Sequence, residues 1–300
     1  MAKGQMVKAG YLVGEKKFQV RARAALPLLV RQATQASSAT VFYSDLAAEL
    51  GMANERNLNH VLGYIGRGLE SLSRDWDEEI PPIQCLVINK RDRLPGEGIG
   101  WFGIDKQKFR KLPKREQRRL IDVETRSIID YSRWTEVLRA FGLAAASRNY
   151  AQPVSKAKSN RASRELRTAS FGAGGESPQH KRLKNYVAKH PEVVGLPRNI
   201  GIGATEEPLK SGDTLDVFFR HGQDHIAVEV KSSLSSDTDI VRGMFQCIKY
   251  RHVLEAQQAA TGLAQSARSI LVLEAKLPPE LHSLKNILGV ELFDQVVPTR

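Results

Sequence analysis

Residues 211–250 read SGDTLDVFFRHGQDHIAVEVKSSLSSDTDIVRGMFQCIKY and decide the fold of the C-terminal half. Two short runs rich in β-branched and aromatic residues, Leu215–Phe219 and Ile226–Val230, flank a polar segment that contains Gly222. Two such runs around a glycine-containing turn are typical of a β-hairpin. We therefore predict two antiparallel strands, with the turn centred between Gly222 and Gln223.

This turn would place Asp216 directly opposite Glu229. Because side chains alternate along a strand, the apolar residues of both strands share one face, and Asp216, Glu229 and Lys231 share the other. Neighbouring carboxylates repel each other unless a cation lies between them, and such oxygen ligands suit Mg²⁺, for which Mn²⁺ can substitute. A lysine beside the metal can stabilise developing negative charge. The pattern indicates phosphodiester hydrolysis; the alternative is an amphipathic hairpin with a solvated polar face.

The hairpin resembles the signature of the PD-(D/E)xK nuclease superfamily. The matching residues are Asp216 on one strand and Glu229-Val230-Lys231 on the next, while Leu215 stands where the family usually has proline. The resemblance implies that Asp216, Glu229 and the Val230 carbonyl bind the metal. It also implies that Lys231 orients or activates the attacking water.

A helix predicted to follow the hairpin carries Gln246 and Tyr250, which are similar to the QxxxY motif of the recombination-exonuclease branch, including the Cas4-like nucleases. Residues four apart share a helix face, so both can point at the site and position the lysine or the nucleic acid. The alternative is an ordinary polar–aromatic contact.

The predicted first helix of this domain begins near Glu176 and His180. The resemblance implies that Glu176 completes the metal shell, and the alternative is a helix cap that compensates the helix dipole. His180 resembles the histidine that the exonuclease branch carries on its first helix, and we predict that it contacts nucleic acid.

Composition and charge favour a nucleic-acid partner. The 300-residue chain has a formal net charge of +12, which favours DNA first and a membrane surface second. No basic amphipathic helix with an aromatic face stands out, so we predict a DNA partner and no membrane partner. The chain lacks an apolar run long enough to span a membrane and the apolar core of a secretory signal, so we expect a cytoplasmic protein. Two cysteines, Cys85 and Cys247, are too few for a disulfide framework or a four-cysteine zinc site, and we expect buried thiols.

The first 150 residues read as a mostly helical, winged-helix-like module. We predict a helix capped by Ser44 and running to Leu50, then a second helix from near Asn54 and a strand within 81–90. The second helix has an apolar stripe made of Leu58, Val61, Leu62 and Ile65. Such helix pairs bind DNA in many proteins and are purely structural in many others.

A basic run over residues 106–119 contains eight lysine and arginine side chains. We predict phosphate contacts by Lys111, Lys114, Arg115 and Arg118. The alternative is a solvated helix face.

The predicted architecture is α/β. A winged-helix-like domain over 1–150 binds nucleic acid or selects the substrate, a basic linker spans 151–171, and a restriction-endonuclease-like α/β/α domain with a central mixed sheet spans 172–300. The predicted activity is that of a Mg²⁺-dependent deoxyribonuclease acting in restriction, phage defence or repair, and a homodimer is left open. One alternative is a catalytically silent DNA-binding regulator; another is a transposition or junction nuclease that is active only in a complex.

Overall fold

The structure, a computed structural model, describes residues 11–96, 106–146 and 177–299. The chain is mixed α/β, as predicted, and divides into two compact units. The first comprises Met1–Asn149 together with His282–Gly289, and the second comprises Tyr150–Leu281 together with Val290–Arg300. The predicted linker over 151–171 lies outside the described residues.

The first unit is mainly helical. Its elements are α1 (Lys17–Gln35), β1 (Val41–Phe42), α2 (Tyr43–Glu49), α3 (Leu58–Trp76), β2 (Val87–Ile88), α4 (Lys106–Lys111), α5 (Lys114–Asp130) and α6 (Trp134–Ala140). The apolar stripe predicted for the second helix is confirmed, since Leu58, Val61, Leu62 and Ile65 of α3 are all buried against α1 and its neighbours. This burial makes the unit a helical bundle around one core.

Two local predictions for this unit are wrong in detail. Ser44 does not cap α2, because the helix begins at Tyr43 and its cap position is Phe42. The strand expected within 81–90 shrinks to β2, which follows a 3₁₀ turn over Ile83–Leu86 and pairs in parallel with β1. Buried residues of this turn pack into the helical core, so burial outweighs the strand preference of the sequence.

A short C-terminal helix also belongs to the first unit. This helix, α9 (His282–Leu288), contacts α1 and α2 through a buried polar network. Arg31 and Glu49 form an ion pair at 2.7 Å, and the Asn286 amide donates to Glu49 at 2.7 Å. The sequence pattern predicts that all of 172–300 belongs to the C-terminal domain, whereas this segment packs with the helical unit.

The second unit contains a five-stranded sheet and two long helices. Its elements are α7 (Pro178–Lys189), β3 (Ala204–Pro208), β4 (Thr214–His221), β5 (Asp224–Lys231), α8 (Asp237–Ala260), β6 (Arg268–Leu273) and β7 (Glu291–Phe293). The strand order is β3-β4-β5-β6-β7. The first two pairings are antiparallel and the last two are parallel, so the sheet is mixed, as predicted.

From the turn to Val217 and Val228 the hairpin register is the one predicted, but these two residues are its last pair. Leu215, predicted to share a face with Val217, packs instead with Phe218 and Tyr250, because the regular alternation of β4 is broken next to Asp216. His221 pairs with Asp224 and Val217 pairs with Val228, which leaves Gly222 and Gln223 as the two-residue turn. Gly222 adopts φ +61°, a left-handed conformation that glycine tolerates without strain.

Helices cover both faces of this sheet. Leu183 and Val187 of α7 pack on the face that carries Val217, Val228 and Val230. Tyr250 and Leu254 of α8 pack against Phe218 and Ala227, which alternate onto the other face. Part of the face expected to be polar therefore lies under α8, and Glu229 is buried there within a layered α/β/α unit.

Both cysteines are buried thiols, as expected, and burial raises the pKa of Cys247 to about 12. Within the described ranges, every helix is too short or too polar to cross a membrane.

Candidate active site

The hairpin brings two carboxylates and an amine together at one end of its two strands. Asp216 lies near the start of β4, and Glu229 and Lys231 lie near the end of β5. The strands run in opposite directions, so these two ends are adjacent. The hairpin turn makes the two ends neighbours, and the hydrogen bond from the Val230 N–H to Asp216 Oδ2 joins them.

Asp216 is held by contacts with two other elements. Its Oδ1 lies 3.2 Å from His180 Nε2 of α7, and its Oδ2 accepts a 2.9 Å hydrogen bond from the Val230 N–H. Burial by itself would raise the pKa of Asp216, but these hydrogen bonds and the nearby charge of Lys231 outweigh burial and lower the pKa. Asp216 is therefore an ionised and well-positioned carboxylate.

Glu229 is more deeply buried, with 3% of its surface exposed. Lys231 Nζ donates to its Oε1 at 2.6 Å. Burial and the charge of Asp216 nevertheless raise the pKa of Glu229 to about 7, because the Lys231 ammonium offsets them only in part. Such displacement of two neighbouring carboxyl pKa values in opposite directions is common at functional sites.

Two residues of α8 complete a hydrogen-bonded chain around the lysine. Lys231 Nζ donates to Gln246 Oε1 at 3.4 Å, and Gln246 Nε2 donates to the Tyr250 hydroxyl at 3.1 Å. The Tyr250 hydroxyl in turn donates to the Thr214 carbonyl at 3.4 Å, and burial raises its pKa. The structure thus brings together Asp216, Glu229, Lys231, Gln246 and Tyr250.

Gly243 of α8 gives the lysine its space. A Cβ atom at this position would lie 2.9 Å from Lys231 Cε and 3.0 Å from Leu271 Cδ1. The sequence pattern does not single out this residue, since a lone glycine inside a helical pattern carries no signal of what packs against it.

Asp216 lines a groove of about 900 Å³ that is open to solvent. Its lining includes His180, Lys184, Glu206, Asp216, Ser232 and Asp239. Glu206 and Lys184 are not predicted from the sequence either. Extending the strand register from β4 to β3 would place Glu206 across from Asp216, but the sequence contains no motif that marks β3.

The donors present fit a hard divalent cation. Asp216 and Glu229 offer carboxylate oxygens, and Val230, between Glu229 and Lys231, offers a backbone carbonyl. Glu176, the predicted additional ligand, lies outside the described residues. Among the residues that are described, no cluster of three or more His, Cys, Asp or Glu side chains has metal-binding geometry.

The remaining predicted contacts fall in two places. His180, predicted to contact nucleic acid, lies against Asp216 and lines the groove. Lys111, Lys114, Arg115 and Arg118 lie on α4 and α5 of the helical unit and are exposed, and together they form the basic patch.

No protein-family model, curated protein or solved structure matches this chain.

Proposed function

We propose that the chain is a metal-dependent nuclease that hydrolyses phosphodiester bonds in DNA, in restriction, phage defence or repair. The observation that carries the proposal is the convergence of Asp216, Glu229 and Lys231 at one point of the sheet, with Gln246 bonded to the lysine. Two neighbouring carboxyl groups with displaced pKa values, one of which lines a groove of a basic protein, suit a bound cation that engages an anionic phosphate substrate. In this proposal, the second unit is the restriction-endonuclease-like domain, and the first is the winged-helix-like, DNA-binding domain.

Each side chain has a defined task in this proposal. Asp216, Glu229 and the Val230 carbonyl would hold Mg²⁺ or Mn²⁺, joined by Glu176. A bound metal of this kind supplies Lewis-acid stabilisation and lowers the pKa of its water. Lys231 places a positive charge where negative charge develops on the phosphate, and it orients the attacking water.

Three other residues position this machinery. Gln246 accepts from Lys231 Nζ and so fixes the direction of the ammonium. Tyr250 holds the Gln246 amide, and His180 holds Asp216. Positioning of this kind matters because displacement of a catalytic group by about 1 Å can cost 100-fold in rate.

The test is cleavage of supercoiled, linear and single-stranded DNA with Mg²⁺ or Mn²⁺, compared with EDTA. Lys231→Ala should abolish cleavage and leave DNA affinity nearly unchanged, because it removes the charge at the reacting phosphate. Lys189→Ala, at the exposed end of α7, is the matched control and should cleave normally.

Other outcomes identify the alternatives. DNA binding without cleavage by the wild-type protein would favour a silent regulator, and cleavage only with an added partner would favour a nuclease that works in a complex. Full activity of Lys231→Ala would remove this lysine from the mechanism.

A further inference from the structure

An ion pair in the groove joins a buried lysine to an exposed glutamate. Lys184 of α7 donates from Nζ to Glu206 Oε1 at 2.9 Å. The lysine side chain is 5% exposed, whereas the glutamate side chain is 66% exposed. The carboxylate therefore lies on the solvent side of an ammonium that is otherwise enclosed by protein.

The backbone of Glu206 has an unusual conformation for a strand. Its φ is +57°, although Thr205 and Glu207 on either side keep regular register with β4. A non-glycine residue with left-handed φ is strained, and such residues concentrate at functional sites. The register also places Glu206 across from Asp216, on the neighbouring strand.

The ion pair and the catalytic carboxylate share one groove, since Lys184, Glu206 and Asp216 all line it. The hydrogen bond from Lys184 lowers the pKa of Glu206, so the glutamate is ionised at neutral pH. A phosphate oxygen and a carboxylate oxygen compete for the same ammonium, and lysine binds either as a point charge. An exposed carboxylate can rotate into water at little cost when a phosphate replaces it.

We propose that Lys184 contacts a backbone phosphate of nucleic acid lying in this groove, and that Glu206 is its internal counterion, displaced when the nucleic acid binds. The inference rests on the proposed function, because it assigns a substrate contact of the same site. Glu206 thus weakens nucleic-acid binding, and its carboxylate occupies the place of a phosphate in the unbound protein.

The first test is the affinity for a short fluorescein-labelled DNA duplex, measured by fluorescence anisotropy in EDTA so that no cleavage occurs. Glu206→Gln should bind about two- to fivefold more tightly, the range expected for loss of one exposed ion pair. It should leave the log–log salt slope nearly unchanged, since Lys184 engages the same phosphate in both complexes. Glu207→Gln, the adjacent strand residue with the same charge, is the matched control and should bind like the wild type.

The second test is a double-mutant cycle with Lys184→Met. The single variant should bind DNA more weakly and reduce the salt slope by about 0.9. In that background Glu206→Gln should have no effect, because there is no ammonium left to release. If Lys184→Met does not fold, the comparison of Glu206→Gln with Glu207→Gln decides alone.

Three results would overturn the inference: unchanged or weaker binding by Glu206→Gln, an equal gain in Glu207→Gln, or a gain that persists without Lys184. A loss of turnover by Glu206→Gln that recovers at high Mg²⁺ would show a metal ligand instead, and would also overturn it. If the wild-type protein cleaves DNA and Glu206→Gln does not change DNA affinity, this inference is wrong and the proposed function still stands. A wild-type protein that neither binds nor cleaves DNA would defeat both.

Discussion

At the Glu229 carboxylate, burial and the charge of Asp216 oppose ionisation, and the Lys231 ammonium favours it. The balance leaves this carboxyl with a pKa of about 7, compared with 4.5 in an unfolded chain. The folded protein therefore holds the Glu229 proton more tightly than the unfolded chain does. Asp216 shows the opposite behaviour, because hydrogen bonds from His180 and Val230 lower its pKa.

This difference predicts a pH dependence of stability in the metal-free protein. The contribution of Glu229 is fully present below about pH 4.5 and is lost as the pH rises through about 7. The loss is of the order of 3 kcal/mol, at about 1.4 kcal/mol for each pH unit. Asp216 acts in the other direction and only below its ordinary pKa, so it does not cancel this loss.

The measurement is urea unfolding followed by circular dichroism in EDTA, at both ends of this pH range. Glu229→Gln removes the titrating proton and should strongly reduce the pH dependence between them; the shifted pKa values of Glu124 and His225 account for the remainder. Equal pH dependence in the two proteins would show that Glu229 does not titrate near neutral pH.

At the scale of elements, α8 sets the position of Lys231 through Gly243 and Gln246. Gly243→Ala should change stability by no more than about 2 kcal/mol, because the helix preference of alanine opposes the cost of moving Lys231 and the buried Leu271. The added methyl meets Lys231 Cε, so the lysine must move, and cleavage should fall by up to about 100-fold. Thermal melting and the cleavage assay measure the two effects.

The matched control is Gly63→Ala in α3, where the atom nearest to an added Cβ is Arg67 Nη1 at 3.7 Å. It should gain stability without losing activity. If Gly243→Ala cleaves DNA as fast as the wild type, the close approach of α8 at Gly243 does not set the position of Lys231.

The exposed basic patch on α4 and α5 is a second feature of single helices with a testable effect. Replacing Lys111, Lys114, Arg115 and Arg118 by glutamine should weaken DNA binding evenly across sequences, because phosphate contacts carry no sequence information. The log–log salt slope should fall by about 0.9 for each phosphate that the variant no longer neutralises. Anisotropy titrations at several salt concentrations give this slope.

A control with the same change in net charge separates local binding from the overall field of the protein. Glutamine at Arg56, Arg67, Arg74 and Arg139, which are exposed elsewhere in the helical unit, should alter the slope much less. Equal effects of the two sets of substitutions would show that the basic patch is a solvated helix face and does not contact phosphates.

On the scale of the whole molecule, a segment from the far end of the chain stabilises the N-terminal unit. Asn286 of α9 donates to Glu49 Oε2 at 2.7 Å and to the Asp45 carbonyl at 3.3 Å. Asn286→Ala should lower the free energy of unfolding of this unit by about 1.5–3 kcal/mol, as expected for hydrogen bonds to a buried charged group.

Tryptophan fluorescence during urea unfolding isolates this effect, because all three tryptophans of the chain precede residue 150 and the described ones, Trp76 and Trp134, belong to the N-terminal unit. Asn59→Ala, at an exposed position of α3, is the control and should leave the midpoint nearly unchanged. A wild-type midpoint for Asn286→Ala would show that α9 adds nothing to the stability of this unit.

The sequence by itself determined the features that depend on local periodicity. Alternation of period two and a two-residue turn were enough for the register that brings Asp216 towards Glu229. The spacing of four between Gln246 and Tyr250 was enough to place both on one face of α8. The buried stripe of α3 followed from helical periodicity in the same way. These patterns are encoded over a few residues, so no distant contact is needed to predict them.

Only the tertiary structure decided which distant elements meet the hairpin. His180 of α7 contacts Asp216, because α7 packs beside β4. Glu206 of β3 lies across from Asp216 and accepts a hydrogen bond from Lys184, because β3 pairs with β4. The packing of α8 on β5 buries Glu229 and, together with the charge of Asp216, raises its pKa. The inclusion of His282–Gly289 in the N-terminal unit likewise depends on long-range contacts, because its polar partners are buried with it and lie far away in the chain. Local patterns contain no record of such partners, since burial and charge compensation depend on the packing of the whole chain.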